Sequence, residues 1–328
     1  MDALLFALNA VLPIILVTLL GYGLKRVGLM NEDFSKQANK LVFRVFVPIL
    51  LFMNVYKIKG IGDVDLGFVA YAVAAVGIIY AVAVPIVMLF VKDNAKRGTL
   101  IQGVFRSNYA IIGISLAESL FGSEGSAIAS VLSAVVIPLY NILAVITLSV
   151  FSSREKKVTV RSVLLGILKN PLIEGVALGL AALVMRAVFV RYSIDFRLSD
   201  ISFLYSALTS VAAIATPLAL LVLGAQFEFS SLKGSVRELI FGVAARCVAV
   251  PIFGIGGAYL LFRNIFFGAE FAAFVAAFAS PVAVTTVPMA QEMGADARLA
   301  GQLVIVTTIG SCLTVFIAST LLTAAGIY

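Results

Sequence analysis

The chain has no histidine, no tryptophan and only 2 cysteines among its 328 residues. Without imidazole it lacks the usual general base and the commonest zinc ligand. Cys247 and Cys312 both fall in apolar stretches, so neither a disulfide framework nor a thiolate metal site is expected. Charge is equally scarce: 12% of residues are Asp, Glu, Lys or Arg, against 62% hydrophobic, and mean hydropathy is +1.10. Soluble domains hold roughly 45–50% apolar residues, which excludes an ordinary water-soluble fold. No metal-ligand cluster and no nucleophile–base pair at helical spacing is visible, so no metal, cofactor or enzymatic role is expected. A sizeable polar domain is missing too: the longest polar connector is "SSREKKVTVRSVLLGILKN" at 152–170, short and basic.

What fills the chain instead is apolar runs of about 20 residues, the length that crosses about 30 Å of hydrocarbon. Ten spans are expected: Leu5–Leu24, Ala38–Val55, Leu66–Val91, Thr99–Phe121, Ser126–Phe151, Pro171–Phe189, Ile201–Ala225, Leu239–Phe262, Phe267–Met293 and Leu299–Ile327. The fold class is therefore an all-α polytopic membrane protein. Asp2 and the lack of a basic leader make the first span a retained helix, not a signal peptide. The formal charge of +7 reports orientation in such a chain, not nucleic acid binding. Lys25, Arg26, Lys92, Lys96, Arg97, Lys156, Lys157, Arg161 and Lys233 gather on one side, and Lys57, Lys59, Arg186, Arg191, Arg197 and Arg263 on the other. The positive-inside rule places the first set in the cytoplasm and both termini outside it. A multi-pass protein of the bacterial cell membrane is expected.

The two halves echo one another. "VAVPI" occurs at Val82–Ile86 in span 3 and again at Val248–Ile252 in span 8, an offset of 166 residues. Pro48 in span 2 and Pro217 in span 7 are 169 apart, and "SNYA" (107–110) and "LAES" (116–119) lie over "SPVA" (280–283) and "MAQE" (289–292) at 173. One duplication explains the set: residues 1–151 as a first repeat, 152–170 as a cytoplasmic connector and 171–328 as a second. Each repeat holds five spans, an odd number, so the second copy enters the membrane inverted. That is the architecture of many secondary transporters, which bind substrate near the midplane at discontinuous helices.

Spans 4 and 9 carry the polar residues that such a site requires. Arg106, Ser107, Asn108 and Tyr109 of span 4 lie about nine to twelve residues from the cytoplasmic charges, roughly 14–18 Å deep at 1.5 Å per residue. Ser280 and Pro281 reach similar depth in span 9 from the opposite face, so the two stretches can meet. Pro281 removes an amide donor and biases Ser280 away from helical geometry. Thr285 and Thr286 can cap the freed groups, while Pro288 either extends the break or adds a kink. Pro48, Pro85, Pro138, Pro217 and Pro251 read as simple kinks. Arg106 and Arg246 are buried cations in lipid, each costing a few kcal/mol on translocon scales. Either touches an anionic substrate or is held by carbonyl groups or an internal partner. Of the acids, Glu118 and Glu292 are proton-carrier or interfacial candidates, and Glu174 is a proton-carrier or helix-capping one.

On "ASPVAVTTVPMAQEMGAD" (279–296), "KNPLIEGVALGL" (169–180), "LPIILVTLLGYGLKRVGLM" (12–30) and "RSNYAIIGISLAESLFG" (106–122), the chain resembles a bacterial member of the auxin efflux carrier family. These permeases are related to plant PIN-type auxin exporters and to malate and malonate carriers. The resemblance implies a homodimeric scaffold of spans 1, 2, 6 and 7, and a transport domain of spans 3–5 and 8–10 in which broken spans 4 and 9 cross. It implies elevator-type alternating access, with Asn108 at the position that contacts the substrate carboxylate. Plant members carry an Asn-Pro-Asn-Thr-type stretch where this chain has Arg106–Tyr109, and they have a long cytoplasmic loop where it has 152–170. A carboxylate smaller than auxin is therefore expected, with H+ or Na+ as a coupling ion. A bile-acid-type sodium symporter, or a sensor or channel without coupled transport, are the other readings.

Overall fold

The computed structural model describes residues 2–57, 66–109, 113–152, 165, 168–227 and 235–328, with side chains from residue 12 onward. Most of the basic connector, and Lys59, Lys156, Lys157, Arg161 and Lys233 among the orienting charges, lie outside the described residues. The described residues are helical, with no strand among them. In lipid no water satisfies the backbone, so an apolar chain must bond within its own helices.

The elements run α1 (Asp2–Arg26), α2 (Glu32–Leu41), α3 (Val47–Tyr56), α4 (Leu66–Phe90), α5 (Asn94–Phe105), α6 (Ile114–Val150), α7 (Pro171–Arg191), α8 (Ser202–Gln226), α9 (Val236–Ala244), α10 (Gly257–Phe262), α11 (Gly268–Ala279), α12 (Thr286–Met293) and α13 (Ala297–Ala324). A π turn, Val42–Phe46, joins α2 to α3, and two more, Ala245–Ala249 and Ile252–Gly256, join α9 to α10.

Among the described residues, 7 helical stretches are long and apolar enough to cross a membrane: Glu32–Tyr56, Leu66–Phe90, Ile114–Val150, Pro171–Arg191, Ser202–Gln226, Val236–Phe262 and Ala297–Ala324. Three features set the expected spans 4, 5 and 9 apart from uniform helices. The 12 residues of α5 and of α11 rise only about 18 Å each, well short of the hydrocarbon thickness. The 37-residue α6 is two helices run together, broken at Phe121 (φ −135°) and Gly122 (φ 57°). That break separates the expected spans 4 and 5, and a glycine occupies the left-handed position. Finally, the expected spans 4 and 9 each stop being helical in mid-course, at Arg106 and at Ser280. Pro85, Pro138 and Pro217, by contrast, sit inside unbroken stretches of α4, α6 and α8, as simple kinks do.

Two helix pairs pack through glycine. A Cβ on Gly21 of α1 would overlap the Leu221 carbonyl of α8, and one on Gly224 of α8 would overlap the Thr18 carbonyl of α1. Likewise Gly175 of α7 abuts the Pro48 carbonyl of α3, and a Cβ on Gly179 would come within 2.7 Å of the Val55 side chain. Membrane helices have no hydrophobic drive toward each other, so small residues that let backbones approach decide which pairs form. Most of the remaining helices pack around one aromatic core, and α13 also lies against α1. There α11 lies against α6, α4 against α5, and α13 against α5, α11 and α12, around a core of Phe68, Phe271, Phe274 and Phe278. Leu16, Leu89, Leu178, Val184 and Leu260 stay exposed, as the bilayer requires of lipid-facing positions.

Candidate substrate-binding crossover

Two helix ends meet beside this core. Helix α5 ends at Phe105 because Arg106 turns extended (φ −89°, ψ 105°). Helix α11 ends at Ala279 because Ser280 does the same (φ −65°, ψ 151°), the geometry imposed on a residue that precedes proline. The two extended segments then run antiparallel, with Ser107 paired to Val282. Asn108 N donates to Pro281 O at 2.8 Å, and Ala283 N donates to Arg106 O at 3.3 Å. The break frees backbone groups, and the opposite segment takes some of them back.

Not all the capping follows the sequence expectation. Thr285 makes no side-chain cap hydrogen bond, and the Thr286 hydroxyl has no partner. The freed Val282 amide is capped instead by Thr307 of α13, whose Oγ1 accepts from Val282 N at 3.1 Å while donating to Leu303 O at 2.6 Å. Pro288 gains an account: it is the third residue of α12, in the first turn, where an amide has no intrahelical acceptor anyway. It therefore starts the second half-helix and does not kink it.

The two arginines take different roles. Arg106, 3% exposed, donates to Gln102 Oε1 at 3.1 Å, to Asn141 Oδ1 at 2.7 Å and to the Met289 sulfur. All three partners are neutral. Arg246, 1% exposed, is carried on the π turn Ala245–Ala249 and gives its hydrogen bonds to main-chain oxygens: Nε and Nη2 to Ser280 O at 2.9 and 2.7 Å, Nη1 to Val104 O at 3.1 Å, and Nη2 to Ala277 O at 3.1 Å. Carbonyl contact, one of the possibilities left open by the sequence, is what the Arg246 geometry shows.

Tyr109 is buried and pinned, its hydroxyl donating to Ala129 O at 3.0 Å. Ser107 Oγ reaches the Tyr140 hydroxyl at 3.4 Å. Four buried polar atoms beside or within the crossover have no protein partner: Asn108 Nδ2, Ser280 Oγ, Thr286 Oγ1 and Gln102 Nε2. Buried polar groups are nearly always satisfied, so such a cluster calls for a specific cause. Three of the four are residues singled out by the sequence. Gln102, Tyr140, Asn141, Met289 and Thr307 were not, since each is an isolated polar or soft residue in an apolar helix and only their convergence distinguishes them.

The acids stand elsewhere. Glu118 is exposed on α6, Glu174 is exposed in the first turn of α7, and Glu292 is half-buried near the end of α12. No group of three or more potential metal ligands occurs among the described residues. A cavity of about 250 Å³ opens between α1, α2 and α8 on one side and α12 and α13 on the other, lined by Lys25, Lys36, Gln226, Gln291 and Arg298. Glu32, 3.8 Å from Lys36, lines it too, and it reaches Val287, which follows Thr286 in the chain.

The family model described as membrane transport protein matches residues 6–319 of the chain. An uncharacterized transporter of Methanothermobacter thermautotrophicus is 24% identical over 313 residues, covering 92% of this chain and 93% of that one.

Proposed function

The chain belongs to the membrane transport protein family, that of the auxin efflux carriers, and on that premise we propose that this multi-pass membrane protein is a secondary carrier of small organic anions, carboxylates foremost. Substrate binds at the crossover of the interrupted spans 4 and 9. The observation that carries this reading is the set of buried, unpartnered polar groups on Asn108, Ser280, Thr286 and Gln102. An amide N–H and a hydroxyl donate, and a carboxylate offers two oxygens to accept. Arg106, held only by neutral partners, supplies positive potential where the bilayer would otherwise repel an anion. Arg246 adds to that potential without touching substrate, and Ser107, Tyr109, Pro281 and Thr285 shape the site.

In this reading α5 with the start of α6, and α11 with α12, are the halves of two crossing spans. The whole is ten spans in two inverted repeats of five. The glycine-mediated pairs α1 with α8 and α3 with α7 support that symmetry, because span 1 meets span 7 as span 6 meets span 2. Spans 1, 2, 6 and 7 form a dimerising scaffold in the cell membrane, with both termini outside the cytoplasm. Spans 3–5 and 8–10 move past it as an elevator, driven by H+ or Na+, with Glu118, Glu174 and Glu292 as candidate carriers of the coupling ion. The cavity that opens between α1, α2 and α8 and α12 and α13 is the route by which an anion reaches the site.

The test is uptake by proteoliposomes of a radiolabelled panel of mono- and dicarboxylates, each competed by the free acid and by its neutral amide. Saturable uptake inhibited by the acids alone is expected. Uptake that the amides inhibit equally well removes the anion reading, and no saturable uptake of any carboxylate removes the substrate class.

A further inference from the structure

The last carbonyls of an α-helix lack intrahelical donors, and each helix C-terminus carries about half a negative charge. At the crossover two such ends meet, those of α5 and α11. In carriers built on discontinuous helices, half-helix C-termini and unwound carbonyls are where Na+ is held. Here a side chain already occupies that place. Arg246 donates to Val104 O and Phe105 O at the end of α5 and to Ala277 O and Ser280 O at the end of α11. It is buried, and each of its hydrogen bonds goes to a backbone oxygen. Its charge of +1 matches the sum of two half-charges from the helix ends.

We propose that Arg246 is the resident cation of the crossover, a non-dissociating occupant of the carbonyl seat that an alkali cation would otherwise fill, which removes Na+ from the two coupling ions named above. The transport half of this rests on the carrier reading above; the occupancy half does not. A guanidinium suits the seat because its planar fork spreads several donors over carbonyls from two helices, which a single spherical ion does by coordination. The π turn Ala245–Ala249 inserts the residue at this point, as such turns do at functional sites. The free energy of holding the two helix ends together is then built into the chain and does not vary with the Na+ gradient.

The experiment uses full-length protein in detergent, with thermal unfolding followed in NaCl, LiCl, KCl and choline chloride at equal ionic strength. The wild-type Tm is expected to be the same in all four. Arg246→Ala empties the seat; its Tm should fall by roughly 5–10 °C and recover with saturation on adding millimolar Na+, Li+ or guanidinium, as binding to a folded site requires. A merely structural arginine would leave that variant insensitive to small cations. Arg246→Lys keeps the charge and is expected to fold and to ignore Na+, which keeps the test decisive should Arg246→Ala not fold. The proposal is overturned by a wild-type Tm that rises saturably with Na+, by an Arg246→Ala protein that no cation rescues, or by an Arg246→Lys protein that does not fold. A Na+ gradient that drives wild-type uptake would likewise end it. No carboxylate uptake with these cation responses intact would fault the carrier reading alone.

Discussion

Asn108→Ala separates binding from folding. The Asn108 backbone amide holds Pro281 O at 2.8 Å, and alanine keeps that bond. What alanine removes is the side-chain amide, whose Nδ2 is buried with no protein partner. A hydrogen bond to a charged acceptor contributes about 1.5–3 kcal/mol, so carboxylate affinity should fall by roughly 10- to 150-fold. Deleting an unsatisfied buried donor relieves a desolvation penalty of about 1–3 kcal/mol, which offsets the small cavity left behind. The ligand-free Tm should therefore stay within a few degrees of wild type. Asn141→Ala is the contrast. Asn141 Oδ1 accepts from Arg106 at 2.7 Å and its Nδ2 donates to Ile137 O at 2.8 Å, so truncation leaves a buried guanidinium short of a partner and lowers the ligand-free Tm. Both variants are read by thermal unfolding across a carboxylate titration, where ligand-induced stabilisation reports affinity. An Asn108→Ala protein that keeps the wild-type ligand shift, or one that loses as much ligand-free stability as Asn141→Ala, would refute the reasoning.

Three further outcomes follow from particular contacts. Thr307→Val strips the cap from the Val282 amide and should cost about 1–3 kcal/mol of stability, while Thr307→Ser, which keeps the hydroxyl, should cost far less; unfolding of both in detergent checks this. Arg106→Gln removes a buried cation whose partners are neutral, so carboxylate affinity should drop steeply while ligand-free stability holds or rises; parallel stability loss in both measures would assign Arg106 to the scaffold. Gly224→Leu places a side chain into the Thr18 carbonyl and should split α1 from α8, seen as cysteine cross-links between these helices that form in wild type and fail in the variant.

Hydropathy and proline chemistry made much of this molecule legible in advance. Apolar runs of about 20 residues cross lipid as helices, and a proline fixes the residue before it, so a helix end at Ser280–Pro281 could be read from two letters. Ser107 and Asn108 were legible for a related reason: short polar side chains in mid-span compete with helical bonding. The Phe121–Gly122 break was legible only as the boundary between two spans. The partners were not readable. In a chain this apolar, nearly every helix face is equally hydrophobic, so periodicity does not say which side turns inward or which polar residue meets which. That is why Thr307, 25 residues beyond Val282, and Asn141, 35 residues beyond Arg106, carried no signal on their own. It is also why Arg246 could not be assigned from its position. A cation at mid-depth must be compensated, and the sequence determined that much. Only the convergence of two helix ends on the π turn of a third decided that backbone carbonyls compensate it, because helix dipoles act within about a turn of their ends and the ends meet only in the folded bundle.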